Sequence, residues 1–533
     1  MIKNFIILVK YKSKIIKKFI TYNKKKFFFY SNNSSQILLE FNNFASFHVS
    51  SSYLVDALQK KFGSKIIAYK GYSIYEKQTL QSKIKWLLGT IFNIRTFKLY
   101  RSIGADQFIS IYKKNTNEVN RQFKFLKKKI KSKKDIENIC LEKIWVGDLI
   151  YDTYLRKYQK STIEINDDKF FIFLKSCIQE FYFWFEYFKK NNIKAIILSH
   201  AVYLYAMPMR IAINHNIPSY IPDLHKLYYF NKKNISFKRK KNEVFFESKF
   251  FKEKFNLLST KKKNIGLEIG RKILQQKISG KQKPFYMENY KINKKRINLQ
   301  AKKKIRVMIA MHTFTDSPHV YGCNFFTDFY EWLKFLSNIM KITDYEWFIK
   351  PHPNNIINNF NEIKEFVNNN PKIQMIPHDV KISDIKKLKI DFVLTIFGTV
   401  ASEYPALGIK VINASRNTPF KFFNFSKTPK NIKEYRNILL KLNYYKYKIN
   451  IKEMYIFHFM NNIYYTRNYL TPKFDFFINK KIKNYNNVFS DIFYDSWIKN
   501  TTEHRFCENK KQIKNFIESR EYVCKPKNVY NQN

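Results

Sequence analysis

The sequence predicts an α/β chain made of two doubly wound parallel-sheet units, with helices after the second. Three observations carry this. Buried-strand patterns alternate with helical patterns between residues 36 and 221, and again between 305 and 413. Polar or glycine-bearing turns follow several of the strands, where open parallel sheets bind ligands. At 533 residues the chain has room for two or three domains with large cores. The expected organisation is a Rossmann-like domain in each half of the chain.

Residues 1–35 read as a basic amino-terminal arm. Its apolar run is short, Phe5 to Val9, and no small-residue cleavage site follows. Nowhere does an apolar run reach the ~18 to 20 residues that a membrane helix needs. The arm reads either as a segment lying on an anionic membrane surface or as a frayed, solvated extension.

Residues 36–300 are expected to hold the first domain, followed by a basic interdomain segment. Gln36 to Asn42 reads as a strand, Asn43 to Ser52 as a polar loop, Ser52 to Lys61 as a helix and Lys65 to Ala68 as a second strand. Helices are expected over Leu80 to Leu99 and Thr116 to Lys129. Trp145 to Arg156 then places Asp148, Asp152 and Arg156 four residues apart on one helical face. Such a face is either a surface salt-bridge ladder or a functional one; its apolar flanks argue against simple exposure. Phe170 to Lys190 predicts a long aromatic helix. Lys194 to Ser199 predicts a strand ending at His200, with a helix over Tyr203 to Asn214 and a strand over Ile217 to Ile221. His200 is a site residue or a capped core histidine. From 230 to 304 the pattern fades into Lys and Asn, with solvated runs at Lys232-Lys233, Lys238 to Lys241 and Lys302 to Lys304.

Residues 301–420 predict the second domain. Strands are expected at Ile305–Ala310, Glu346–Ile349, Ile373–Ile376, Asp391–Phe397 and Lys410–Asn413. Helices are expected at Phe325–Met340, Ile356–Asn369, Ser383–Leu388 and Thr399–Leu407. That alternation implies right-handed crossovers in a doubly wound sheet. Residues 421–533 carry helical patterns at Asn431–Leu442 and Ile451–Tyr465 and a basic tail.

Net charge is +57, from 98 basic and 41 acidic residues, which favours polyanionic partners or phosphorylated substrates. Part of that excess follows the general abundance of Lys, Asn, Ile, Phe and Tyr and the scarcity of Gly and Pro. No RNA- or DNA-binding signature accompanies the charge, so nucleic acid is not the expected partner. Five scattered cysteines without a CxxC argue against a disulfide framework or zinc site and fit a reducing cytoplasm. The chain has no GxxxxGK[ST], GxGxxG or GxSxG motif, which excludes a P-loop, a standard dinucleotide fingerprint and a nucleophile elbow.

Three strand ends could carry chemistry. In Lys350-Pro351-His352-Pro353, the two prolines restrict the backbone around His352, so its imidazole is held where it can donate to a phosphate or a leaving oxygen. Gly398-Thr399 opens the predicted helix, whose free amides, with the Thr399 and Ser402 hydroxyls, suit a phosphate. Glu403 suits ribose hydroxyls or a base amino group. The loop His312 to His319, with Asp316, is expected to face phosphate or acceptor; its spacing does not suggest a metal.

The segments KPHP and GTVASEYPALGIKVI resemble the carboxyl domain of GT-B glycosyltransferases, specifically the capsule polysaccharide synthesis group that includes the Kdo transferases. WVGDLIYDTYLR and ILSHAVYLYAMPMRIA resemble the opposed domain of the same bacterial surface-carbohydrate enzymes. The resemblance spans roughly residues 36 to 420 and extends to the CDP-glycerol glycerophosphotransferases and, more distantly, the non-hydrolysing UDP-GlcNAc 2-epimerases. It implies a two-domain transferase that needs no catalytic metal and no cofactor, acting in the cytoplasm or at the inner membrane face. The nucleotide-sugar donor, with a CMP-linked sugar among the candidates, would sit in the carboxyl domain. His352 would contact its phosphate or leaving oxygen, Thr399 and Ser402 would hold phosphate, and Glu403 the ribose or base. Lys350, Gly398, Asp316 and His319 complete the expected donor set. A polysaccharide or lipid-linked acceptor would be deprotonated by Asp152, with Asp148 and His200 as the next candidates. A CDP-glycerol-type glycerophosphotransferase and a non-catalytic polyanion binder are the alternative readings.

Overall fold

The computed structural model describes residues 2–72, 79–94, 96–111, 114–222, 226–233, 247–280, 304–322, 324–352, 357–377, 380, 382–465 and 491–524. The run Lys238 to Lys241, Lys302, Lys303, Cys323, Pro353 and the end of the tail lie outside the described residues.

In chain order the first body contains α1 (Ile2–Lys26), β1 (Gln36–Phe41), α2 (Ala45–Phe62), β2 (Lys65–Lys70), α3 (Leu80–Phe92), α4 (Thr96–Ser102), β3 (Ala105–Ile109), α5 (Asn117–Lys129) and α6 (Lys133–Glu137). The hairpin β4 (Cys140–Leu141) and β5 (Ile144–Trp145) leads into α7 (Gly147–Tyr158) and α8 (Asp168–Lys190). Then come β6 (Ile193–Ile197), α9 (Met207–Asn214), β7 (Ser219–Pro222) and β8 (Leu227–Phe230). The sheet order is β3-β2-β1-β6-β7-β8, parallel except for the last pair. Alternation of side chains explains its two cores. Ile37, Leu39, Ile66, Ala68, Ala195 and Ile197 point to one face, and Leu38, Ile67, Tyr69 and Ile196 to the other. A parallel sheet covered on both faces needs such near-continuous aliphatic strands.

The second body begins with α10 (Phe251–Asn256) and α11 (Thr260–Ile278), in the segment read as interdomain. It continues with β9 (Arg306–Ala310), α12 (Phe329–Lys341), β10 (Glu346–Lys350), α13 (Ile357–Asn368), β11 (Ile373–Met375), α14 (Ile382–Lys387), β12 (Phe392–Thr395), β13 (Lys410–Asn413), α15 (Ile432–Leu440) and α16 (Ile451–Phe459). Its sheet is fully parallel, in the order β11-β10-β9-β12-β13. Phe251, Phe255 and Leu274 enter one of its cores. Helices α11 and α16 touch closely enough that a Cβ on Gly270 would meet the Tyr455 carbonyl oxygen at 2.1 Å.

The chain then returns to the first body. Helices α17 (Ile492–Asn500) and α18 (Glu503–Ser519) pack with α1 and α2, burying Trp497, Phe506 and Phe516. Phe19 of α1 stacks on Tyr494 with ring centres 4.3 Å apart. The carboxyl half of α1 is therefore packed helix, not a frayed arm. The architecture is GT-B-like: two Rossmann-like units with a cleft between them, and carboxyl-terminal helices that return to pack on the first unit.

Four local expectations differ. Helix α2 starts at Ala45, not Ser52, because Phe47 and Val49 are core residues; Ser50 to Ser52 are buried helical serines, and Ser52 Oγ donates to the His48 carbonyl at 3.0 Å. The helix expected over Leu80 to Leu99 breaks into α3 and α4 at Asn93, whose φ is 50°. Strands β3 and β8 went unread, since each is an edge strand and β3 is half exposed. Thr399 to Leu407 is two 3₁₀ turns, Thr399–Ser402 and Tyr404–Leu407, not one helix. Pro405 has no amide to close an α-turn onto Ala401.

Candidate functional site

Between the carboxyl ends of the two sheets lies a cavity of about 560 Å³. Its first wall is built on α7. Gly147 is required at the helix start, since a Cβ there would sit 2.3 Å from the carbonyl oxygens of Ile136 and Glu137. From that start, Asp148 and Asp152 fall one turn apart on a buried face, which settles the ladder question against surface exposure.

Asp148 is clamped. Arg210 of α9 donates from Nη2 to Oδ2 at 2.5 Å and from Nη1 to Oδ1 at 3.4 Å. Nη1 also reaches the Trp145 carbonyl at 3.1 Å, and the guanidinium lies over the Trp145 ring. Both charges are buried, so the pair holds α7, β5 and α9 together.

Asp152 reaches across to the second body. Its Oδ1 lies 2.5 Å from His319 Nδ1, and its Oδ2 accepts the His319 backbone amide at 3.2 Å. Burial alone would push the imidazole down; the adjacent carboxylate, with Glu137 and Asp148 nearby, holds it up at about 9. Burial in turn raises Asp152, opposed by His319. At neutral pH the pair is a buried carboxylate–imidazolium unit. Two further bonds tie the bodies here: Tyr151 Oη donates to Asp328 at 2.5 Å, and Tyr203 Oη to the Thr315 carbonyl at 3.3 Å. Tyr203 is held at φ 56°, ψ −173°, a conformation that a bulky side chain adopts only under constraint.

His200 stands at the carboxyl end of β6, beside the cavity. Its Nδ1 is 2.7 Å from Ser199 Oγ, which is 2.8 and 2.9 Å from the two oxygens of Glu40 at the end of β1. The Ser199 amide donates to the same carboxylate at 2.6 Å. Burial raises Glu40 to about 7 against these hydrogen bonds. When Glu40 is ionised it can only accept, so Ser199 donates to it and accepts from Nδ1–H of His200. That tautomer leaves Nε2 unprotonated. Glu40 and Ser199 were not singled out in the sequence; the only signal was a carboxylate near the end of a strand whose preceding three residues are aliphatic.

The second wall carries His319, Tyr321, Phe397, Thr399 and Ser402. Of the expected donor residues, His319, Thr399 and Ser402 line the cavity, while Lys350, His352, Gly398, Glu403 and Asp316 do not. His352 Nδ1 lies 3.3 Å from Thr313 Oγ1, and burial, with Lys350 nearby, lowers it to about 4. Glu403 is pushed up by burial and pulled down by Lys277 and Lys350. The close approach that needs Gly398 is to Thr395: a Cβ would meet its Oγ1 at 2.7 Å. The Gly398 amide donates to that hydroxyl at 3.1 Å. With only a 3₁₀ turn behind it, Thr399 has little macrodipole, but the turn's first amides have no acceptor within it. His458, kept neutral at about 3 by burial, sits under the turn with Nε2 2.8 Å from the Ser402 carbonyl.

Lys277 of α11 also lines the cavity. Arg210 is paired with Asp148, and Lys226 with Glu247. Sequence reading did not single out Lys277, because nothing separates it from the other 97 basic residues before the chain folds. Among the described residues, no group of three or more His, Cys, Asp or Glu is arranged to hold a metal ion. Among them, too, no helix is long and apolar enough to cross a membrane.

No protein-family model matches the chain, and no curated protein matches it. Similar solved structures include a UDP-GlcNAc 2-epimerase from Neisseria meningitidis bound to UDP-GlcNAc. It is 13% identical with a TM-score of 0.22, over 87% of this chain and 100% of that one. The KpsC β-Kdo 2,4 transferase of Thermosulfurimonas dismutans is 12% identical with a TM-score of 0.29, over 51% of this chain and 84% of that one. A glycosyltransferase from Rickettsia africae is 12% identical with a TM-score of 0.24, over 88% and 100%. Likeness at this level carries no assignment of activity, which has to come from the chain's own cleft.

Proposed function

We propose that this chain is a metal-independent, GT-B-type glycosyltransferase that moves a sugar from a nucleotide-sugar donor to a surface-polysaccharide or lipid-linked acceptor. The observation that carries the reading is the cavity between two facing parallel-sheet edges, with acid–base groups on one wall and hydroxyls and cations on the other. Its size suits a nucleotide-sized ligand.

In this reading Lys277, the Thr399 hydroxyl and the His319 imidazolium meet the phosphate charge of the donor and of the departing nucleotide, while the Ser402 hydroxyl, which donates to the Thr399 carbonyl at 2.9 Å, braces the turn. Cationic side chains thus take the role that a metal plays elsewhere. Asp152, with both oxygens engaged by His319, positions that imidazolium and keeps it protonated. His200, set in the basic tautomer by Ser199 and Glu40, takes the proton of the acceptor hydroxyl through Nε2 as the acceptor oxygen bonds to the anomeric carbon and the nucleotide phosphate leaves. The Lys350–His352 strand end supports the donor loop from behind the cavity lining.

Melting in the presence of CMP, CDP and UDP tests the reading. One nucleotide is expected to raise Tm at concentrations where the others do nothing, since only a ligand that binds the native state shifts it. No response to any of them sinks the proposal. A CMP response followed by transfer of glycerol phosphate rather than sugar selects the glycerophosphotransferase reading instead.

A further inference from the structure

The apolar surface of α3 runs the wrong way round for an ordinary globular helix. Leu80 is 75% exposed, Leu87 57%, Ile91 63% and Phe92 66%, and Ile84, Leu88 and Ile94 are exposed beside them. These residues form a contiguous stripe at helical spacing. The side of α3 that faces the protein is narrow. It rests on Trp86, whose ring lies 4.9 Å from Phe41 and 5.0 Å from Phe97, and on Gly89, where a Cβ would meet the Phe97 ring at 2.1 Å. Thr79 caps the start by accepting from the Ser82 amide at 3.2 Å. The helix is thus seated at a fixed angle with its greasy face outward.

Charge accompanies the stripe. Residues 79 to 105 contain no Asp or Glu, while Lys83 and Lys85 of α3 border the apolar stripe by helical spacing. Beside the helix, a second pocket of about 370 Å³ opens at the ends of β1 and β2, lined by Lys70, Lys85, Trp86, Phe97, Tyr205 and the relay carboxylate Glu40.

We propose that the outer face of α3 is a docking surface for an anionic lipid bilayer, into which Leu87, Ile91 and Phe92 insert while Lys83 and Lys85 meet the headgroups. An interfacial helix of this kind combines a buried apolar face with basic residues at its border. A second copy of the chain fits worse, since an isologous contact would bring the same lysines face to face. A nucleic acid would leave the aliphatic stripe in water. Docking here sets the smaller pocket at the membrane surface, beside Glu40 and hence next to the His200 relay. The inference concerns where the protein meets a membrane and does not depend on the identity of the donor.

Flotation of the full-length protein with vesicles tests it. Binding to vesicles of phosphatidylglycerol and phosphatidylethanolamine is expected, with little binding to pure phosphatidylcholine and a loss at high salt. The triple variant Leu87→Gln, Ile91→Gln, Phe92→Gln should lower the bound fraction more than tenfold, and Lys83→Glu with Lys85→Glu should abolish the preference for anionic lipid. These side chains are exposed, so melting should stay at the wild-type value, and the nucleotide response should persist. Unchanged binding by the triple variant, or no binding by the wild type, overturns the proposal. So does a wild-type dimer in light scattering that the triple variant converts to monomer, because a second copy would then cover the face.

Discussion

His319 Nδ1 lies 2.5 Å from Asp152 Oδ1, with one residue on a helix of the first body and the other on a loop of the second. Both side chains are buried, so this contact joins the two bodies through a titratable pair in which burial raises Asp152 and the carboxylate holds His319 up. Replacing Asp152 by Asn removes the charge that opposes desolvation of the imidazole. His319 is then expected to titrate below its ordinary value, where wild type titrates at about 9; NMR of the histidine ring protons reads this directly. Turnover should fall by about 10² or more, while the nucleotide-induced melting shift survives. Full activity in this variant would remove Asp152 and His319 from the mechanism. In wild type, the folded-state value is raised, so the stabilisation from His319 is fully present below about 6.5 and is lost as pH rises through about 9.

The Glu40–Ser199–His200 relay makes a pH prediction of its own. Protonation of Glu40 lets Ser199 turn and donate to His200 Nδ1, which moves the ring proton to Nε2 and removes the base. Activity is therefore expected to decline as pH falls through about 7. Glu40→Gln should shift that acid limb, and His200→Ala should lower kcat by about 10² to 10⁴ with donor binding retained. An unchanged acid limb in Glu40→Gln would separate Glu40 from the chemistry. Its raised folded-state value also means that Glu40 contributes stability below about 4.5 that is lost as pH rises through about 7.

Lys277 should matter for the donor as well as for the buried Glu403 carboxyl that it pulls down. A charge-assisted contact to phosphate is worth about 1.5 to 3 kcal/mol, so Lys277→Ala should weaken nucleotide binding by about tenfold or more. Calorimetric titration of the responding nucleotide measures this. Wild-type affinity in this variant would place the phosphate elsewhere in the cleft.

Asp148 and Arg210 should behave differently from Asp152. Removing one partner of a buried ion pair leaves the other charge uncompensated and costs about 3 to 5 kcal/mol. Asp148→Asn and Arg210→Ala are each expected to lower the urea midpoint substantially, whereas Asp148→Leu combined with Arg210→Met should recover much of the loss. If the double variant is as unstable as the sum of the singles, the two residues are not a pair in solution.

The second body was legible almost strand by strand, because five short apolar runs separated by helical patterns leave few other topologies. Lys410 to Asn413 matches the observed strand, and the others agree within a few residues. Thr399 to Leu407 misled because periodicity registers apolar spacing but not the amide missing from Pro405. Ser50 to Ser52 misled because clustered serines read as loop, although buried serines can satisfy themselves on the preceding turn. Edge strands β3 and β8 carry only half of a buried pattern.

The candidate site divides along the same line. Composition and pattern alone determined two α/β units, placed His200, Thr399 and Ser402 at strand ends, and put Asp148 and Asp152 on one helical face. These are local properties, set by neighbours within a turn or a strand. The fold decided the rest. It spent Asp148 on Arg210 and joined Asp152 to His319, 167 residues away. It connected Glu40 to His200 through Ser199 across adjacent strands and brought Lys277 into the cavity from a helix outside both predicted sheets. A charge acquires its role from the partner that desolvates or neutralises it. That partner is fixed by packing between distant segments and not by spacing along the chain.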